Sequence, residues 1–186
     1  AYNLVLAFAC SILIIFDQLI AKLIYSNDFY IAWKYVPFLL ISAMFAALNA
    51  FLDSIFAANM DSKQVAKATI MGAIINAVLN IVLIHFIGTV GAAIATMVSY
   101  FCMWIIKHIK ISKVVELGSN MAKVFSTYAI LLAQAVIIFA VQNIWLKHIV
   151  AILLLAILTL MNIREIKIIA NKAKSVLKRK LSKSEE

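Results

Sequence analysis

The stretch that decides the fold is Val65–Ile109, VAKATIMGAIINAVLNIVLIHFIGTVGAAIATMVSYFCMWIIKHI. A helix that crosses the hydrocarbon core of a bilayer needs roughly 20 mostly apolar residues. This stretch holds two such runs back to back, Val65–Phe86 and Gly88–Ile109. Almost nothing separates them at Phe86–Gly88, so they are expected to form a tight antiparallel hairpin. The runs are continuous rather than alternating, which predicts helices and not the strands of a membrane barrel.

Working outward, four more runs meet the same requirement. They are Asn3–Tyr25 and Val36–Ala58 on the N-terminal side, and Val124–Asn143 and Trp145–Ile163 on the other. The last is interrupted near its start by Lys147 and His148, whose side chains are expected to snorkel to the interface. The expectation is an all-α, polytopic bundle of six transmembrane helices over residues 1–163, followed by a basic cytoplasmic tail over 164–186. Composition agrees. Of 186 residues, 66% are hydrophobic and 13% charged, and mean hydropathy is +1.04. A soluble domain is roughly 45–50% apolar and about 25% charged, so that class is excluded. The apolar run starts at once from Ala1 with no basic region or cleavage site before it. It does not read as a signal peptide, and the chain is expected to be a piece of a longer protein.

The net charge of +9 sits between the apolar runs and at the C-terminus. That distribution suits membrane topology and anionic lipid headgroups, and a nucleic-acid partner is not expected. With both ends placed in the cytoplasm, that side holds Lys63, Lys67, Lys107, Lys110, Lys113, Lys123 and the eight basic residues of the tail. The opposite side holds Lys22, Lys34 and Lys147. The imbalance predicts both ends inside. Tyr25, Phe29, Tyr30, Trp33 and Tyr35 cluster at the outer boundary, where amphipathic rings prefer the headgroup level. Pro37 falls in the first turn of its run, where its missing N–H costs little. Cys10 and Cys102 lie far apart in apolar runs, so neither a disulfide framework nor a metal site is expected.

Polar residues inside the runs supply the candidate site. Ser42, Ala46, Asn49 and Asp53 follow at steps of four, three and four, one stripe down a helix. The stripe is either the wall of a hydrated cavity or a helix–helix seam, and Asn49 and Asp53 are spaced to share a hydrogen bond. Asp17, Gln18 and Lys22 lie toward the outer half of the first run. Asp17 and Lys22 are about 140° apart around a helix, so Asp17 needs a partner on another helix, water or a proton. Asn76 and Asn80 are expected to tie their helix to a neighbour. Gly91, Ala95 and Ser99, with Gly88 before them, form a small-residue face for close packing. Nothing here reads as an enzyme. The three histidines lie in separate segments, and there are no paired carboxylates at catalytic spacing and no phosphate-cradling loop.

The segment Asn76–Tyr100 carries Asn76, Asn80, Leu83, Ile84, Gly88, Gly91, Ala92, Ala93, Ala95, Thr96, Ser99 and Tyr100. In these residues it resembles the C-terminal part of bacterial polysaccharide (O-antigen-type) flippases. Those proteins belong to the multidrug/oligosaccharidyl-lipid/polysaccharide exporter superfamily. The likeness extends loosely over Leu4–Lys110 and departs at His85, where similar sequences often have proline. It implies a two-lobed, alternating-access exporter without a cofactor, of which this chain is one lobe and the N-terminal lobe is the missing partner. The implied cargo is an undecaprenyl-pyrophosphate-linked oligosaccharide crossing the bacterial inner membrane, and membrane lipids surround the bundle. The resemblance carries over no binding residue. Alternatives are another exporter of the superfamily, such as a drug/cation antiporter or peptidoglycan-precursor flippase, or a non-transporting scaffold.

Overall fold

The computed structural model describes residues 2–24, 27–59, 61–113, 121–171 and 175. Among them every regular element is helical: α1 (Tyr2–Ile24), a 3₁₀ segment (Asn27–Lys34), α2 (Val36–Ala58), α3 (Ser62–Ile111), α4 (Met121–Ala140) and α5 (Ile144–Met161). All five α-helices are long and apolar enough to cross a membrane. The fold is an all-α arrangement that fits a membrane protein.

The 50 residues of α3 do not form one rod. Gly88 has φ 61° and ψ −142°, a backbone conformation that glycine reaches without a Cβ penalty. There the chain doubles back. Asn76 on the first arm (62–87) meets Thr96 on the second (89–111), with Nδ2 to Oγ1 at 3.4 Å. In a straight helix those residues would stand about 30 Å apart. Gly91 sits so close to the first arm that a Cβ there would lie 2.3 Å from the Leu83 carbonyl oxygen. The expected hairpin is therefore present, with Gly88 as its corner and Gly91 as its point of closest approach.

The two arms differ in burial. On the first, Ala68 and Gly72 are the buried positions, whereas the second buries Gly91, Ala93, Ala95, Ser99, Trp104, Lys107 and Ile111. The second arm runs into an aromatic core centred on Phe45 of α2. Its ring lies 4.8 Å from Tyr128 of α4, 5.1 Å from Phe101 and 6.1 Å from Trp104. Offset and edge-on contacts of this kind favour aromatic pairs. On α2 the apolar face toward this core is continued by Ile41, Leu48, Leu52 and Phe56, all buried. Pro37 stands in the first turn, as expected.

Two boundaries depart from the sequence expectation. The fifth run ends as a helix at Ala140, and Asn143 instead caps α5, its Oδ1 accepting from the N–H groups of Trp145 and Leu146 at 3.1 and 3.2 Å. An asparagine amide satisfies otherwise unpaired N–H groups at a helix start, so it belongs to the following helix. The aromatic connection after α1 is 3₁₀-helical from Asn27 on, while Tyr25 and the Phe29 side chain lie outside the described residues. After Asn162 the chain is helical again over 163–171. There Glu165 pairs with Lys123 of α4, whose hydrogen bond holds the Glu165 carboxyl below its ordinary range. A gap of about 290 Å³ separates Leu4, Val5 and Phe8 of α1 from Ile166, Ile169 and Ala170. The rest of the tail, apart from Ser175, lies outside the described residues.

Candidate functional site

The α2 stripe is a seam. Ser42 and Asn49 are buried, and the Asn49 side-chain amide donates to the Phe45 carbonyl at 2.9 Å and to the Tyr100 carbonyl on α3 at 3.0 Å. Asp53 turns to the same arm, its Oδ1 lying 2.7 Å from Lys107 Nζ. The contact is an ion pair, and Asp53 Oδ1 has no hydrogen-bond partner among the described residues. The expected Asn49–Asp53 bond is not formed, because each side chain reaches a stronger partner across the interface. The sequence alone places Lys107 among the cytoplasmic charges. Its side chain is 1% exposed, so it belongs to the bundle. A sequence signal existed: Asp53 and Lys107 both stand near the C-terminal ends of runs that cross the bilayer in the same direction.

A second pair of charges lies at the opposite end. Asp17 of α1 and Lys147 of α5 are each only 2% exposed and interact electrostatically. The Lys147 ammonium lies 5.0 Å from the centroid of the Trp33 ring, a cation–π contact. Lys147 thus reaches the aromatic segment of the outer boundary, where it is covered by protein rather than exposed. Asp17 Oδ2 has no hydrogen-bond partner among the described residues. Gln18 is half-buried and Lys22 exposed, so neither joins this pair.

Between the two ends runs a link that the sequence reading missed. Ser11 donates to Gln134 Oε1 at 2.9 Å, and Gln134 Nε2 donates to the Ala151 carbonyl at 2.9 Å. One glutamine thus joins α1, α4 and α5 through fully buried groups. Its only sequence signal was a lone amide in an apolar run, where an interhelical bond is the ordinary use.

The hairpin itself holds an open groove with polar groups on its walls. Between its arms lies a groove of about 300 Å³, with Thr69, Gly72, Ala73 and Asn76 on one wall and Thr96, Ser99, Tyr100 and Met103 on the other. Asn80 donates to Asn76 Oδ1 at 2.8 Å, so it bonds within its own arm, and Asn76 makes the crossing to Thr96. The small face also serves packing. Gly91 and Ala95 are buried, and Ser99 returns its proton to the Ala95 carbonyl at 2.6 Å. Among the described residues no three His, Cys, Asp or Glu side chains are grouped to hold a metal ion.

Comparison with protein-family models, curated proteins and solved structures finds no match for this chain.

Proposed function

We propose that the chain is one lobe of a bacterial exporter of the polysaccharide-flippase type. It moves an undecaprenyl-pyrophosphate-linked oligosaccharide from the inner to the outer leaflet for surface polysaccharide synthesis. The observation that carries this reading is the α3 hairpin. The string that resembles the flippases, Asn76–Tyr100, is the part that folds back on itself, with Asn76, Thr96, Ser99 and Tyr100 on the walls of the groove between the arms. Polar groups left open within the bilayer are costly unless they line a cavity or bind something. The Asp53–Lys107 ion pair and the buried Asp17 and Lys147 add ionisable groups of the kind that membrane transporters keep.

Counting the arms of α3 separately gives six crossings, with both chain ends on one side. Lys107 and Lys147 are buried and drop out of the charge count, one from each side, which leaves the basic imbalance in place. The ends are cytoplasmic on this reading. Ser26→Cys and Ser112→Cys, each made after replacement of Cys10 and Cys102, test it with an impermeant thiol reagent on intact cells. Labelling is expected at Ser26→Cys only, and labelling at Ser112→Cys alone overturns the orientation. Transport is tested by deleting the native gene. Surface polysaccharide is expected to be lost while the lipid-linked precursor accumulates in the inner leaflet. Unchanged surface polysaccharide overturns the flippase reading.

A further inference from the structure

Resting on the flippase reading, we propose that the groove between the arms of α3 receives the sugar headgroup of the cargo, whereas the α2 stripe takes no part in binding. The first arm has two unlike sides. At 100° per residue, Thr69, Gly72, Ala73, Asn76 and Asn80 share one side, and Met71, Ile74, Val78 and Ile81 share the opposite one. The apolar side is exposed, Ile81 to 77%, as a lipid-facing side would be. The polar side opens on the groove, and hydrocarbon is a poor cover for it.

The hydrogen-bonding pattern selects the ligand class. The hydroxyls of Thr69, Thr96 and Ser99 give their protons to the Val65, Ala92 and Ala95 carbonyls of their own helices. Their oxygens keep acceptor capacity on residues that line the groove. Asn76 Nδ2 makes one long contact, 3.4 Å to Thr96, and its other proton has no partner among the described residues. The groove therefore offers an amide donor among hydroxyl acceptors. A sugar hydroxyl, which both donates and accepts, complements that set. Tyr100 adds an aromatic surface to the wall, suited to the apolar face of a pyranose ring. No charged side chain lines the groove, so it is not built for the pyrophosphate. Gly72 keeps the groove narrow on one side: a Cβ there would come within 2.6 Å of Met103 Cε.

The test uses the native protein in its own membrane, with Cys10 and Cys102 replaced. Ala73→Cys places a thiol in the groove, and Met71→Cys places one at nearly the same depth on the lipid side. A charged methanethiosulfonate reagent is the probe. Labelling at Ala73→Cys is expected to be at least about tenfold faster than at Met71→Cys, because the reagent reacts in water and not in hydrocarbon. In cells making the lipid-linked oligosaccharide, the Ala73→Cys rate should fall to that of a protected site, compared with cells in which its synthesis is blocked. Asn76→Leu with Thr96→Val should abolish that protection while labelling stays fast. If Ala73→Cys does not accumulate, Thr69→Cys takes its place. Equally slow labelling at both positions, with export intact, overturns the groove and leaves the flippase reading standing. Fast labelling without protection overturns sugar recognition. The gene deletion tests the flippase reading separately.

Discussion

Gly91→Ala is expected to disrupt the α3 hairpin and, with it, accumulation of the folded protein. The new Cβ would lie 2.3 Å from the Leu83 carbonyl oxygen, 2.5 Å from its carbon and 2.9 Å from the Ile84 nitrogen. These are backbone atoms, and no rotamer change moves them. The arms must splay, and the second arm carries Phe101 and Trp104 into the aromatic core. Overpacking ordinarily costs about 1–3 kcal/mol, and a backbone collision at the corner of a hairpin belongs at or beyond the upper end of that range. Gly88→Ala separates the two roles of the turn glycines. Nothing lies within 4 Å of a Cβ at Gly88, but its φ of +61° is strained for any L side chain. That cost is purely conformational, on the order of 1–3 kcal/mol. Thermal unfolding of the purified protein in detergent should therefore rank wild type above Gly88→Ala, and Gly88→Ala above Gly91→Ala. A Gly91→Ala protein as stable as wild type would show that the arms do not approach as described.

Asp53→Asn is expected to cost more stability than Lys107→Met, although the two residues form one ion pair. Removing one member of a buried pair leaves an uncompensated charge, a loss of about 3–5 kcal/mol. Exposure decides which charge suffers. Lys107 is 1% exposed and Asp53 35%. Asp53→Asn strands the ammonium in the bundle and falls within that range. Lys107→Met leaves a carboxylate that already touches solvent, and the cost should be nearer about 1 kcal/mol. The double variant should recover most of the Asp53→Asn loss, because replacing both members of a buried pair is often neutral. On the proposed flippase reading, export per folded molecule should stay near wild type in all three. A specific loss of export by Asp53→Asn at normal abundance would return the α2 stripe to the transport path and refute the seam.

Several features of the fold were legible without coordinates. The runs of about 20 apolar residues, the hairpin at Phe86–Gly88 and the proline-led start of α2 follow from residue type and spacing. The polar stripe on α2 was also legible as a stripe, and Asn76 as a tie to a neighbour. What the stripe faces was not legible, because periodicity gives a residue's angle on its own helix and says nothing of which helix lies opposite. Asn143 shows a related limit at shorter range. Read by hydropathy it extends one run, whereas its side-chain oxygen caps the next.

The sequence alone determined that this chain is a set of long apolar helices joined by short polar links, since backbone groups in hydrocarbon must find their hydrogen bonds within the same segment. That requirement is local, and local information meets it. Only the tertiary structure decided that Lys107 and Lys147 are covered by other helices and by Trp33, that Gln134 joins three helices, and that a groove opens between the arms of α3. Each of those outcomes depends on pairings between different helices or arms, from Gln134 with Ala151, 17 positions apart, to Asp53 with Lys107, 54 apart, and Ser11 with Gln134, 123 apart. A long, flexible charged side chain takes whichever environment stabilises it best, and that environment exists only once the helices have packed.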